Sequence, residues 1–149
     1  MTTQKVCTLY QHLIRPLLEY GTPAWNPWYI KDITLLENCQ ERCLKLCSSE
    51  VNLDSLAHRR QSQHLCETYK YLHNLYKTDP NTLFSHPNRR LRGNTLKLSG
   101  KRFSNDISRH FLPNRVVDEW NKLSEDTVNA PNLTSFKRKL RSLPSGPEG

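Results

Sequence analysis

Three cysteines recur at Cys39, Cys43 and Cys47. Steps of four put them along one side of a helix, and thiolates are good zinc ligands. Over those positions a helix rises about 12 Å, whereas zinc holds each thiolate at about 2.3 Å. One ion cannot gather all three, and no Cys-X-X-Cys pair is present. They read instead as small apolar groups on a helix face. The six histidines, His12, His58, His64, His73, His86 and His110, are scattered, and Cys66 has no histidine ordered beside it as a base. The acidic neighbours Asp118-Glu119 and Glu125-Asp126 are accounted for by helix-terminal roles. No Asp-Asp pair exists to hold two metal ions, and no glycine-rich loop exists to cradle a phosphate. The expectation is therefore no catalytic residue, no metal site and no cofactor.

What remains is cationic. The segment HPNRRLRGNTLKLSGKR (86–102) carries Arg89, Arg90, Arg92, Lys97, Lys101 and Arg102 with no acidic residue; Arg109 and Lys137 follow at a distance. Guanidinium groups favour bidentate phosphate contacts. Arginines on a loop carry no sequence code, so contact with nucleic acid through this segment would be nonspecific and salt-sensitive. Its two glycines would let a backbone approach closely. The rival reading is a solvated loop without a ligand. The charge distribution sharpens the contrast. The chain has 149 residues, a net charge of +8 and a pI near 9.4. Residues 1–57 sum to −1, residues 58–112 to +8 and residues 113–149 to +1. The excess thus sits in the middle third, which points to a polyanionic partner.

The elements that must position these cations are helical, so the expected fold class is mainly α: a small helical domain of about five helices with a basic, partly extended loop. Val6, Leu9, Leu13, Leu17 and Tyr20 form the stripe of an amphipathic helix, widened by Ile14 and Leu18, with a kink or break expected at Pro16 and a stop at Gly21 and Pro23. PAWNPWYI (23–30) reads as an aromatic connector, with Trp25 and Trp28, like Trp120, in core or lid roles. A second helix is expected from Asp32 to Cys47, with Glu41–Lys45 a favourable pair. A third is expected from an Asp54 N-cap to Tyr76, with Tyr76 inward. Asp79-Pro80-Asn81 reads as a turn, and Thr95–Leu98 as a short strand or extended chain. Helical character returns near Asp106, pauses at Pro113 and resumes over 115–123. Residues 124–131 read as a connector, and Asn132 or Thr134 caps a last helix. The expected division is a helical region over 1–80, a basic loop and C-terminal helices of the same unit over 81–141, and a disordered tail over 142–149. No apolar run reaches the roughly 18 residues of a membrane span, so no membrane partner is expected. An odd five cysteines and a polar start, MTTQKVCTLYQHL, lead to the expectation of free thiols in an intracellular, reducing compartment.

Three blocks carry a family resemblance: LYQHLIRPLLEYGTPAWNPWYIKDITLLENCQERCLKL (9–46), RGNTLKLSGKRFSNDISRHFLPNRVVDEWNKL (92–123) and VNAPNLTSFKRKL (128–140). In their order and spacing they resemble the region C-terminal to the polymerase palm in reverse transcriptases of jockey-like non-LTR retrotransposons. Among the residues that carry it are Tyr10, Arg15, Pro16, Glu19, Tyr20, Pro23, Trp25, Pro27, Glu37, Gln40, Arg115, Trp120, Asn121, Pro131, Phe136 and Lys137. The resemblance implies an α-helical thumb with a basic extension, which in such RNA-directed DNA polymerases holds the template–primer duplex while the palm carries the catalytic aspartates. The palm's Tyr/Phe-X-Asp-Asp box is not in this sequence, so the chain itself is expected to be non-catalytic. Two features depart from the family pattern: the connector between Cys47 and Leu53 is shorter, and Ser124 stands where proline is usual. The partners implied are a nucleic-acid duplex or RNA–DNA hybrid and a polymerase palm domain. The alternative is a helical protein-interaction module whose apolar face docks such a palm or another chain.

Overall fold

In the computed structural model the described residues are 3–47, 53–87, 94–102 and 105–143. They are mainly helical; among them no sheet forms, and strand pairing is limited to an isolated antiparallel bridge between Ser85 and Ser99. Among them no helix is long and apolar enough to cross a membrane. The chain divides into two compact units, residues 1–60 and 61–149.

In the first unit, α1 (Thr3–Leu9) runs through a π-helical turn (Tyr10–Ile14) into α2 (Arg15–Glu19). The cause is Pro16. It lacks an N–H, and its ring presses on the carbonyl four residues back. The turn before it is widened, with the Arg15 N–H donating to the Tyr10 carbonyl five residues back, so the chain absorbs the proline without a break. Gly21, at φ 67, then reverses the chain, and its carbonyl accepts from the Ala24 and Trp25 N–H groups.

Most of the amphipathic stripe is exposed. Leu13, Leu17 and Tyr20 are 60%, 75% and 81% exposed, and the neighbouring face buries Cys7 and Tyr10 instead. A buried hydroxyl requires a partner: Tyr10 donates to Gln40 Oε1 at 2.8 Å, and Gln40 Nε2 donates to the Asp54 carbonyl at 3.1 Å. Gln40 lies on α3 (Ile30–Leu46), which Cys47 caps. Trp25 and Trp28 in the preceding connector are partly exposed. The Glu41–Lys45 pair forms at 4.0 Å between exposed groups, where it contributes little.

The helix α4 (Leu56–Leu72) begins in the first unit, and its N-terminus differs from expectation. Ser55, not Asp54, supplies the local cap, accepting from the His58 N–H. Glu37 of α3 reaches over to accept from the N–H groups of Leu56 at 3.1 Å and Ala57 at 2.7 Å. A carboxylate there satisfies two orphan donors and the positive end of the helix dipole. Glu19 pairs with Arg59 one turn on.

In the second unit, α4 stops at Leu72 because Asn74 adopts φ 53, and the Leu75 N–H closes back on the Lys70 carbonyl. Tyr76, expected inward, is therefore exposed. Asp79 caps a one-turn helix α5 (Pro80–Leu83), so the expected turn is in fact a capped helix start. Short helices α6 (Asp106–Arg109), α7 (Leu112–Arg115) and α8 (Val117–Lys122) follow, with Pro113 accommodated in the first turn of α7. The expected connector contains α9 (Glu125–Val128), capped by Ser124, whose side chain accepts from the Thr127 N–H. That hydroxyl is what a proline at 124 could not offer. Asn132 caps α10 (Leu133–Ser142). Residues 144–149 of the expected tail lie outside the described residues.

The core of this unit is aromatic. Phe136 of α10 stacks on Tyr69 of α4 with ring centroids 4.5 Å apart and meets Trp120 at 5.9 Å. Tyr69 donates to the Ala130 carbonyl at 2.6 Å, and His73 Nε2 donates to the Val128 carbonyl at 2.9 Å. Leu98, Val116 and Val128 complete the cluster.

Candidate nucleic-acid interface

Lys97, Lys101 and Arg102 stand on a described stretch, residues 94–102, that forms no helix, so something else must hold it. The answer is a set of side-chain carboxamides and one indole. Asn121 of α8 donates from Nδ2 to the Leu98 carbonyl at 2.8 Å and accepts the Leu98 N–H on Oδ1 at 3.0 Å. One side chain thereby makes both hydrogen bonds that a neighbouring strand would make. The Trp120 indole N–H donates to the Leu96 carbonyl at 2.8 Å. Asn94, buried, donates to the carbonyls of Trp120 and Leu123. Glu125 accepts from both the N–H and the hydroxyl of Thr95. On the other edge, Ser99 N–H donates to the Ser85 carbonyl at 2.8 Å, and His86 Nδ1 donates to that of Lys97 at 3.0 Å. The sequence alternatives of strand and extended chain thus resolve to an extended segment laid on α8, with Leu98 in the core.

Where each expected site residue falls can now be stated. Arg89, Arg90 and Arg92 lie outside the described residues. Lys97 is half-buried within the anchored segment, while Lys101 and Arg102 emerge exposed at its end. The Lys101 N–H is held by Asn114 Oδ1 at 3.1 Å, and its ammonium reaches the Thr82 carbonyl at 3.0 Å. Asn114 also donates to the Ser108 carbonyl at 2.7 Å. That contact ties the end of the segment to α6, whose last turn exposes Arg109. Lys101, Arg102 and Arg109 therefore share a neighbourhood. Lys137 is exposed on a different element, α10. A side chain at Gly100 would meet open space, so no close approach within the chain requires a glycine there.

Five carboxylates of this unit are engaged elsewhere. Glu67 pairs with Lys70 at 2.5 Å and Glu119 with Lys122 at 2.8 Å. Asp126 pairs with Lys139 at 2.5 Å, Glu125 holds Thr95, and Asp79 caps α5. Among the described residues no ion pair involves Lys101, Arg102, Arg109 or Lys137. Cations without a carboxylate partner are open to an external anion.

Two residues outside the expected site belong to the same account. Arg138 and Arg141 are exposed on α10 beside Lys137, and residues 127–147 contain no acidic residue. The acid-free run was visible in the sequence as a signal. Lys137, Lys70 and Arg141 also lie near enough to Cys66 to act on its thiol, but burial dominates and pushes that thiol up. Cys66 is thus a packed group without thiolate character at neutral pH. Arg115, by contrast, is withdrawn from solvent. It donates to the His110 carbonyl at 2.8 Å and to His64 Nε2 at 3.1 Å, and burial brings its guanidinium down to about 10. It secures α7 against α4. Among the described residues no group of three His, Cys, Asp or Glu side chains is placed to hold a metal ion.

Comparison with protein-family models, with curated proteins and with solved structures returns no match.

Proposed function

We propose that the chain is a non-catalytic fragment resembling the thumb and post-thumb part of a retrotransposon RNA-directed DNA polymerase, and that it holds a duplex or RNA–DNA hybrid by its phosphates without reading sequence. The observation that carries this reading is that, among the described residues, Lys101, Arg102, Arg109 and Lys137 stand in no ion pair, in a unit with fifteen Lys/Arg against eight Asp/Glu. The rigid mounting of residues 94–101 supports it, because a backbone clamp needs its cations on an ordered platform. Arg89, Arg90, Arg92 and Lys97 belong to the same strip by sequence.

The test is fluorescence anisotropy with a labelled RNA–DNA hybrid across a salt series. The expected Kd is on the order of 10⁻⁴ to 10⁻⁶ M at physiological salt, and log K falls with log salt by about 0.9 per phosphate neutralised. Replacing Lys101, Arg102 and Arg109 with alanine together flattens that slope by about 3. A wild-type affinity indifferent to salt overturns the reading. So does template-directed primer extension by the chain alone.

A second reading is favoured by the exposure of Leu13, Leu17 and Tyr20. A contiguous apolar stripe on a helix surface marks a docking face, and here its occupant would be a polymerase palm or another protein chain. Sedimentation decides between them: association that persists unchanged at high salt belongs to the apolar stripe and not to the cations.

A further inference from the structure

Two adjacent side chains of α7 tie down the ground on which Lys101, Arg102 and Arg109 stand. Asn114 accepts the Lys101 N–H at 3.1 Å and donates to the Ser108 carbonyl of α6 at 2.7 Å. Arg115 donates to the carbonyl of His110, which caps the end of α6, at 2.8 Å. The other branch of the same guanidinium ties α7 to α4, donating from Nη2 to His64 Nε2 at 3.1 Å. An arginine has donors and no acceptor, so that bond exists only while His64 Nε2 carries a lone pair. His64 is therefore neutral in the fold, with its ring proton on Nδ1. It is buried, at 5% exposure.

We propose, on the phosphate-binding reading of Lys101, Arg102 and Arg109, that His64 and Arg115 form a pH-sensitive latch that positions those cations, and that a proton on His64 opens it and weakens the grip on nucleic acid. The proton takes away the acceptor and sets an imidazolium against a guanidinium in a site with little water. Burial brings Arg115 down to about 10, which leaves it charged at neutral pH. The other charged and titratable groups about His64 are His110 beyond Arg115, and Arg60 and Glu67 one turn to either side on α4. Glu67 is engaged by Lys70 and Tyr76, and Lys137 and Arg141 of α10 act on Cys66, two residues on. That setting is positive on balance and does not favour a charged ring. Acidification also charges exposed histidines such as His12 and His86, which by itself strengthens binding to a polyanion. The latch works in the opposite direction, and the two effects separate by that sign.

The test compares the full chain with His64→Gln, which keeps an acceptor for Arg115 and does not titrate. Anisotropy with the labelled RNA–DNA hybrid is read from about pH 8 to about pH 4.5, a span that brackets the ordinary histidine value. The ratio of wild-type to variant Kd is expected to rise about tenfold as pH falls, the worth of one hydrogen bond to a charged group. In the free wild-type chain, nitrogen-15 NMR is expected to show the Nδ1–H tautomer of His64 at the upper pH. Hydrogen exchange is expected to show the Lys101 amide losing protection on acidification in the wild type and not in the variant. Asn114→Ala cuts the tie to Lys101 and carries the test should His64→Gln fail to fold: it binds more weakly than wild type at the upper pH, and its affinity rises as pH falls. A Kd ratio that stays constant overturns the proposal, as does a proton on His64 Nε2 at the upper pH. Absence of binding at every pH overturns the phosphate-binding reading instead, while NMR and exchange still judge the latch.

Discussion

The two units solve the same problem by different means. Residues 61–149 bury an aromatic cluster: Trp120, Phe136 and Tyr69 lie against one another and leave almost no surface in water. Among the described residues of 1–60, Tyr10 is the one buried aromatic side chain and Arg60 a second large buried one, and the unit relies on polar links: Tyr10 to Gln40 to Asp54, Glu37 onto the start of α4, and Glu19 to Arg59. The large apolar side chains of α1, α2 and their connector face solvent. Their net charges differ too, +1 for residues 1–60 and +7 for 61–149. The lesson is that a hydrophobic stripe in a sequence marks a face, and whether that face is a core or an interface depends on what the rest of the chain brings to it. In the second unit Phe136 met partners. In the first, Leu13 and Leu17 did not.

The comparison breaks most readily at Trp120. Trp120→Ala empties the centre of the aromatic cluster and orphans the Leu96 carbonyl. A loss of about 3–5 kcal/mol is expected from the second unit, read as a lower urea midpoint by near-UV circular dichroism. A similar loss from any single substitution in α2 would erase the distinction between the units. Asn121→Leu tests the extended segment alone. It leaves the Leu98 N–H and carbonyl without their partner, for a loss of about 1–3 kcal/mol. Hydrogen exchange is expected to report the Leu98 amide deprotected while the Tyr69 region keeps its protection.

The polar network of the first unit is tested by pH. Burial, then the nearby Cys43 thiol, raise the Tyr10 hydroxyl to about 12 from an unfolded value of 10. The fold therefore favours the protonated phenol. That stabilisation is fully present below pH 10 and is lost as pH rises from 10 through 12, up to about 3 kcal/mol in all. Tyr10→Phe costs about 1 kcal/mol at neutral pH, and its stability is expected to decline less steeply across that window. Equal slopes for the two proteins would show that Tyr10 is not held neutral by the fold. The smallest effect is expected at the exposed stripe. Leu13→Ser together with Leu17→Ser changes stability by less than about 0.5 kcal/mol, and any self-association seen by light scattering falls.

The longer helices were legible, because apolar spacing and proline punctuation are local signals, while the one-turn helices α5 and α9 were not. Of the two caps the sequence offered for the last helix, Asn132 and Thr134, the structure uses Asn132, and Phe136 lies on the buried side. What was not legible depended on partners distant in sequence. The cap on α4 comes from Glu37, nineteen residues upstream of Leu56. The end of α4 rests on Asn74 adopting a left-handed conformation that its neighbours do not announce. The cationic strip was visible as composition, but its mounting on Asn121, Trp120 and Glu125 was not, since no local pattern says which carboxamide will face a backbone. The hydrogen bonds of Trp120 and Asn121 are what couple that pair of residues to the TLKL stretch.

The carboxamide of Asn121 also has a bearing on what the chain avoids. An extended stretch with bare peptide groups is a template onto which a stranger's backbone can zip, the first step toward fibrils. At Leu98 both peptide groups are already spoken for by a side chain that moves with α8. An invading strand must prise that amide off before it gains its first bond there.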